Sequence, residues 1–281
     1  MTVFCVAVDV EHDVEPAVAL AAQLARRCDD DLALVDVLWP MAPIVAPAAA
    51  PGVVPSAIEL EQSALEPASA EYRAGRHAEL EELALRAGAP ARSVESHTGP
   101  PADVLRELSR RPDARLLVVV DHGGGALKAK LLGEPGRDAM RDLACPIVLT
   151  PTGATQALGE RPRIMCAVDD DGSAPEVAEV AGDLAERLGA TLRIAHSAAE
   201  IDDELVVSLM PHVPPTVEVT FALVDAPPPR RLAALADQVR PDLIVVGAPH
   251  HGAISAALQG SVTHHLAEHA GTPLVVVPTA G

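Results

Sequence analysis

The chain has 281 residues, 49% of them hydrophobic, which gives room for roughly two domains of 100 to 200 residues with real cores. Only 1% is aromatic, so those cores must be built from Ala, Val and Leu. With 21 basic against 40 acidic residues the net charge is −19, which repels polyphosphate backbones and anionic lipid and argues against nucleic acid and membrane surfaces as partners.

Along the chain, short apolar runs alternate with helical patterns, the signature of βαβ units around a parallel sheet covered on both faces. Strands are predicted near residues 3–8, 32–38, 91–96, 116–120 and 146–150, with helices near 14–28, 57–87, 101–110 and 134–143. Segment 39–56, WPMAPIVAPAAAPGVVPS, holds five prolines and no charge, which forbids regular helix. It is a connector, either a packed Ω-like loop over the first crevice or a mobile linker. Near 152–161 the apolar pattern breaks, which divides the chain into domains at 1–155 and 160–281. Strands then follow near 163–168, 191–196, 216–223, 243–246 and 274–277, with helices near 174–188, 229–239 and 261–269. Between 197 and 215 only a short helix fits.

The two series are copies of one another. Asp9 and Asp169, Leu24 and Leu184, Arg27 and Arg187, and Leu32 and Leu192 share a constant offset of 160. Further along, Gly133 and Gly260, and Pro146 and Pro273, share an offset of 127, so the second copy lacks 33 residues between these anchors. The fold class is therefore α/β, with two tandem doubly wound parallel five-stranded sheets.

The stretch DLIVVGAPHHGAISAALQGSVTHHLAEHAGTPLVVVP is the most telling part of the second copy. An apolar strand turns at Gly247, passes a glycine-bearing loop, reaches Gly260-Ser261 at a helix start, and closes on a second apolar strand. Glycines let the backbone approach an anion, and the free N–H groups of a first helical turn supply donors. Gly247, Gly260-Ser261-Val262-Thr263 and Thr272-Pro273-Leu274-Val275-Val276-Val277 resemble the carboxyl-terminal signature of the universal stress protein family. The outer glycines keep the family spacing, while His250 stands where the family has its inner glycine.

That resemblance implies an adenine nucleotide α-hydrolase-like strand order, 3-2-1-4-5, with a crevice between the first and fourth strands at their carboxyl ends. It places Asp169 and Ser197 near the adenine and ribose of a bound ATP, and Gly247, Gly260, Ser261, Val262 and Thr263 around its phosphates. It also implies that the fifth strands, Pro146 to Thr150 and Pro273 to Val277, pair across a pseudo-twofold axis as an intramolecular pseudo-dimer, which would remove two apolar sheet edges. The bland alternative is that Gly260 starts a helix and Ser261 caps it. A protonated His250 imidazole would reach phosphate from the side; as a Cβ-bearing residue it blocks close backbone approach. Asp170 and Asp171 would either hold a magnesium ion or repel phosphate.

In the first copy Val120 replaces the first loop glycine, and Glu134-Pro135 stands where Ser261-Val262 stands in the second. A carboxylate would meet the phosphate and proline removes a donor, so a vestigial crevice is expected there. His250-His251, His264-His265 and His269 are read as solvated surface, with no metal site. Catalytic residues are not expected: neither Ser255 nor Ser261 lies in a Gly-x-Ser-x-Gly elbow, and no Walker lysine follows either loop. Cys5, Cys28, Cys145 and Cys166 form no CxxC pair and read as buried thiols. No apolar run approaches the ~20 residues of a membrane helix, and the opening MTVFCVAVDVEHD lacks the features of a signal peptide, so a cytoplasmic protein is expected. Functionally this points to a stress-response protein that binds ATP in its second half and signals to a protein partner. The alternatives are a nucleotide-independent scaffold and a slow ATP-hydrolysing or adenylate-transferring enzyme. A further homodimer is left open.

Overall fold

The structure, a computed structural model, describes residues 1–7, 14–38, 70–121, 143–151, 158–168, 172–196, 203–224, 228–249 and 271–279. The first half contributes β1 (Thr2–Ala7), α1 (Glu15–Cys28), β2 (Asp31–Leu38), α2 (Ala70–Arg86), β3 (Ser93–Thr98), α3 (Pro101–Ser109), β4 (Ala114–Asp121) and β5 (Ile147–Pro151). The second contributes β6 (Arg163–Val168), α4 (Ala174–Leu188), β7 (Thr191–His196), α5 (Asp203–Leu209), β8 (Val219–Leu223), α6 (Pro228–Val239), β9 (Leu243–Pro249) and β10 (Leu274–Thr279). The connector 39–56 and the helices expected near 134–143 and 261–269 lie outside the described residues, as do residues 57–69 at the start of the helix expected near 57–87.

The strands form one sheet in the order β3-β2-β1-β4-β5-β10-β9-β6-β7-β8. Each half thus has the order 3-2-1-4-5, parallel throughout, and the halves meet where β5 and β10 pair antiparallel. Val148 faces Val275, with Ile147 opposite Val276 and Leu149 opposite Leu274. This register is symmetric about the Val148–Val275 pair, because Ile147 and Leu274 are repeat equivalents, and so are Leu149 and Val276. The expected pseudo-dimer is therefore formed within one chain.

The strands are apolar on both sides because helices cover both. Leu32 and Leu34 of β2 join α1, α2 and α4 in one core layer, whereas Ala33, Val35 and Val37 join α3 and α6 in the other. Side chains that alternate across the strand make this split. With few aromatics, the first layer is dense in small residues such as Ala21, Ala22, Ala178, Ala181 and Ala185. All four cysteines are buried and free, and burial pushes the Cys5, Cys145 and Cys166 thiols up to about 12 and Cys28 to about 11.

The repeat extends to details. α1 and α4 both end on a left-handed residue at equivalent positions, Asp29 (φ 56) and Gly189 (φ 60). Arg-Pro-Asp occurs twice, at 111–113 and 240–242, and both aspartates anchor the first strand of their half. Thr2 donates its backbone N–H to the Asp113 carbonyl at 2.8 Å and its hydroxyl to the Asp113 carboxylate at 2.9 Å. The hydroxyl bond leads in holding that carboxyl below the usual range. In the second half Arg163 donates its N–H to the Asp242 carboxylate and accepts from the Asp242 N–H, both at 2.8 Å. The first half carries Ala114-Arg115 as an addition after this motif, absorbed as a register shift where Thr2 pairs with Ala114 and Val3 with Leu116.

Three expected boundaries are corrected. β3 begins at Ser93, because Arg92 is held by its N–H to the Leu32 carbonyl at 2.7 Å before the ladder starts. β8 begins at Val219, because the Val217 N–H closes a turn on the Pro214 carbonyl and the Thr216 hydroxyl binds Glu186 at 2.6 Å. β9 runs through Gly247 to Pro249, so the chain does not turn at Gly247, whose partner in the ladder is Val277.

Candidate functional site

In each half the strand order reverses between the first and fourth strands, β1 and β4 or β6 and β9, and in open α/β sheets the carboxyl ends at such a reversal are where a crevice forms. In the second half its described rim comprises the end of β6 at Val168, the end of β7 at His196, Gly247 on β9, Thr279 on β10, and Ser173 at the start of α4. His196 is buried, with Nδ1 3.4 Å from the Val168 carbonyl oxygen. Gly172 (φ 85) turns the chain into α4, whose N-cap Ser173 makes no side-chain capping bond.

Of the residues expected to bind a nucleotide, the structure places Gly247 on this rim. Asp169, Ser197, His250, Gly260, Ser261, Val262 and Thr263 lie outside the described residues, as do Asp170, Asp171 and the histidine cluster. A Cβ built on Gly247 would stand 2.8 Å from Val177 Cγ2, 3.4 Å from Ser173 Oγ and 3.5 Å from Thr279 Cγ2. The glycine is thus required by the packing of α4 on β9, whatever approaches from the crevice. At the repeat-equivalent positions the sizes are exchanged, with Val120 in the place of Gly247 and Ala17 in the place of Val177.

The first crevice differs most at the end of β2. Where the second half has His196, the first has Asp36, a carboxylate 1% exposed between the buried Val35 and Val37. Arg76 of α2, also buried, brings Nε within 3.7 Å of Asp36 Oδ1, and its Nη1 contacts Glu79 at 2.5 Å. Asp36 Oδ2 and Arg76 Nε have no hydrogen-bond partner. Burial pushes the Asp36 carboxyl up, and the nearby Arg76 charge only partly offsets it. The adjacent His77 Nε2 lies 2.7 Å from Ser96 Oγ on β3. None of these five residues was singled out from the sequence, although a lone aspartate inside LALVDVL is a signal that a buried strand carboxylate needs a partner.

A second unforeseen network joins the halves. Gln23 and Arg27 of α1 grip the backbone of Leu158 at 2.8 and 3.0 Å, and of their repeat equivalents on α4, Asp183 reaches the first half while Arg187 bonds Asp183 within the helix at 2.8 Å. Asp183 binds Arg115 at 2.9 Å, and Arg115 Nε contacts the buried Asp30 at 2.5 Å. Among the described residues, a groove of about 410 Å³ at the opposite, amino-terminal ends of the strands is lined by Arg26, Asp31 and Gly88 among others.

A doubly wound parallel order that occurs twice within one sheet defines a tandem α/β protein. A match to the universal stress protein family spans residues 1–151 and 197–278, and the chain belongs to that family. A universal stress protein of Mycobacterium tuberculosis is 26% identical over 221 residues, covering 70% of this chain and 72% of that protein. Among solved structures, a universal stress protein from Archaeoglobus fulgidus superposes with a TM-score of 0.67 at 13% identity, over 99% of this chain and 96% of that one. A functionally unknown protein from Pseudomonas aeruginosa gives 0.58 at 14% identity, over 98% and 92%. At these identities the solved structures show a shared fold and no more. Among the described residues no helix is long and apolar enough to cross a membrane.

Proposed function

We propose that this is a stress-response protein, built of domains 1–155 and 160–281, that binds ATP in the crevice of its second half and signals to a protein partner. The observation that carries this reading is the sequence order strand, Gly247, Gly260-Ser261 in the second half, with the family spacing of the outer glycines kept and Glu134-Pro135 opposing it in the first. The residues that would hold the nucleotide are Asp169 and Ser197 for adenine and ribose, and Gly260 to Thr263 for phosphate, with His250 beside them. Magnesium would accompany the phosphates. Binding would shift the population of loop conformations and so change a surface seen by the partner.

One observation favours a second reading, a nucleotide-independent scaffold: the packing of Val177 already accounts for Gly247. Calorimetric titration of the purified chain with magnesium ATP separates the two. One equivalent bound, and none in Ser261→Glu, is the expected result. Two equivalents, or binding retained in Ser261→Glu, would overturn the assignment to the second crevice; no binding selects the scaffold. Phosphate or adenylate release at catalytic turnover would instead select an enzyme.

A further inference from the structure

We infer that the groove between the carboxyl ends of α1 and α2 is a binding site for a small aliphatic carboxylate, with Arg26 as the residue that holds the anion. The groove measures about 410 Å³, a size typical of small-molecule sites, and every residue that lines it is described. Its charged side chains are Arg26, Asp30, Asp31 and Arg92, and three of these are already engaged. Arg92 Nη1 binds Asp31 Oδ2 at 2.6 Å, and the buried Asp30 contacts Arg115 Nε at 2.5 Å and the Met1 ammonium at 3.4 Å. Among the described residues Arg26 has no hydrogen-bond or ion-pair partner.

Its guanidinium nevertheless has a defined place. Gly88 (φ 80) turns the chain beyond α2, and a Cβ there would stand 2.9 Å from Arg26 Nη1. Glycine thus serves both the left-handed backbone and the seat of the arginine. Leu32, Ala89 and Ala91 give the groove an apolar lining beside that seat.

The second half carries the same groove in a closed form. By the repeat offsets Arg26 corresponds to Glu186, Ala89 to Thr216 and Ala91 to Glu218. The Thr216 hydroxyl donates to Glu186 at 2.6 Å, Arg161 binds Glu218 at 2.7 Å, and the space left is about 220 Å³. In the first half the facing loop offers only methyl groups at both positions, so nothing from it crosses to Arg26. The difference is specific to the side chains, because the two loops join equivalent strands.

The groove's chemistry selects its ligand. One unpaired guanidinium matches one negative charge, and its planar fork donates two parallel bonds to a carboxylate. Both helices end here, and the partial negative charge of their carboxyl ends, with Asp31 beside them, opposes a phosphate dianion. The small apolar lining fits a short branched hydrocarbon chain. No residue is shared with the nucleotide site proposed above, so either site can exist without the other.

Saturation-transfer NMR on the full chain without nucleotide, with 3-methylbutanoate as the probe, tests this. Saturable transfer to the probe's methyl protons is expected, weakened by about tenfold or more in Arg26→Gln through loss of the charge-assisted bonds. Arg26→Glu combined with Ala89→Thr rebuilds the closure of the second half and should abolish transfer. Inorganic phosphate at equal concentration should not displace the probe. No saturable transfer, undiminished affinity in either variant, or displacement by equimolar phosphate would overturn the inference.

Discussion

At position 247 a single methyl group separates a conformational reading of glycine from a steric one. The backbone there is ordinary strand, in register with Val277, so glycine is not needed for an unusual φ. It is needed because Val177 Cγ2 fills the Cβ position from α4. Gly247→Ala should therefore cost about 1–3 kcal/mol through overpacking, and Val177→Ala should recover most of that in the double variant. Denaturant unfolding of the four proteins measures the coupling. A neutral Gly247→Ala, or no recovery, would show that α4 yields at this contact. Asp36 teaches a related lesson: its sequence position is equivalent to that of His196, yet only the folded chain shows that Arg76 is its neighbour.

Among the elements, β5 and β10 matter most, because each is the last strand of its own half and each would otherwise present an unpaired apolar edge. Their antiparallel pairing turns two five-stranded sheets into one. β5 is bonded to β4 on one side and β10 on the other, so Val148→Pro must break one ladder or the other. The orphaned carbonyl alone costs about 1–3 kcal/mol, and the loosened edge is open to association. A lower thermal midpoint with increased light scattering is expected; an unchanged midpoint would mean that the pairing contributes nothing. The apolar strands were legible because burial on both faces leaves a continuous Val/Ile/Leu run. The starts of β3 and β8 were not, since both are outer strands whose ends are set by a turn or a backbone bond to a neighbour, and periodicity does not report either.

For the molecule as a whole, the halves are joined by more than the sheet. Arg115 bridges Asp30 of its own half and Asp183 of the other. Asp30 is 3% exposed and keeps only the Met1 ammonium, 3.4 Å from Oδ1, when Arg115 is removed, so Arg115→Ala should cost about 1–3 kcal/mol. Asp183 is 43% exposed, and Asp183→Asn should cost less than about 1 kcal/mol. Urea unfolding distinguishes them, and equal effects would place the weight of the bridge on the contact between halves instead of on the buried pair. By itself the sequence determined the tandem repeat, the α/β class and the alternation of strands and helices, because each of these rests on the burial pattern of a segment's own side chains or on identity at a constant offset. The resemblance added the strand order and the central pairing, both of which the structure bears out. Only the tertiary structure decided that Gly247 is a packing residue in a strand, that Asp36 meets Arg76, that Gln23 and Arg27 hold Leu158, and that Asp183 meets Arg115 across the joint. Those are contacts between segments far apart in the chain, and a periodic pattern records that a side chain is covered without recording which neighbour covers it.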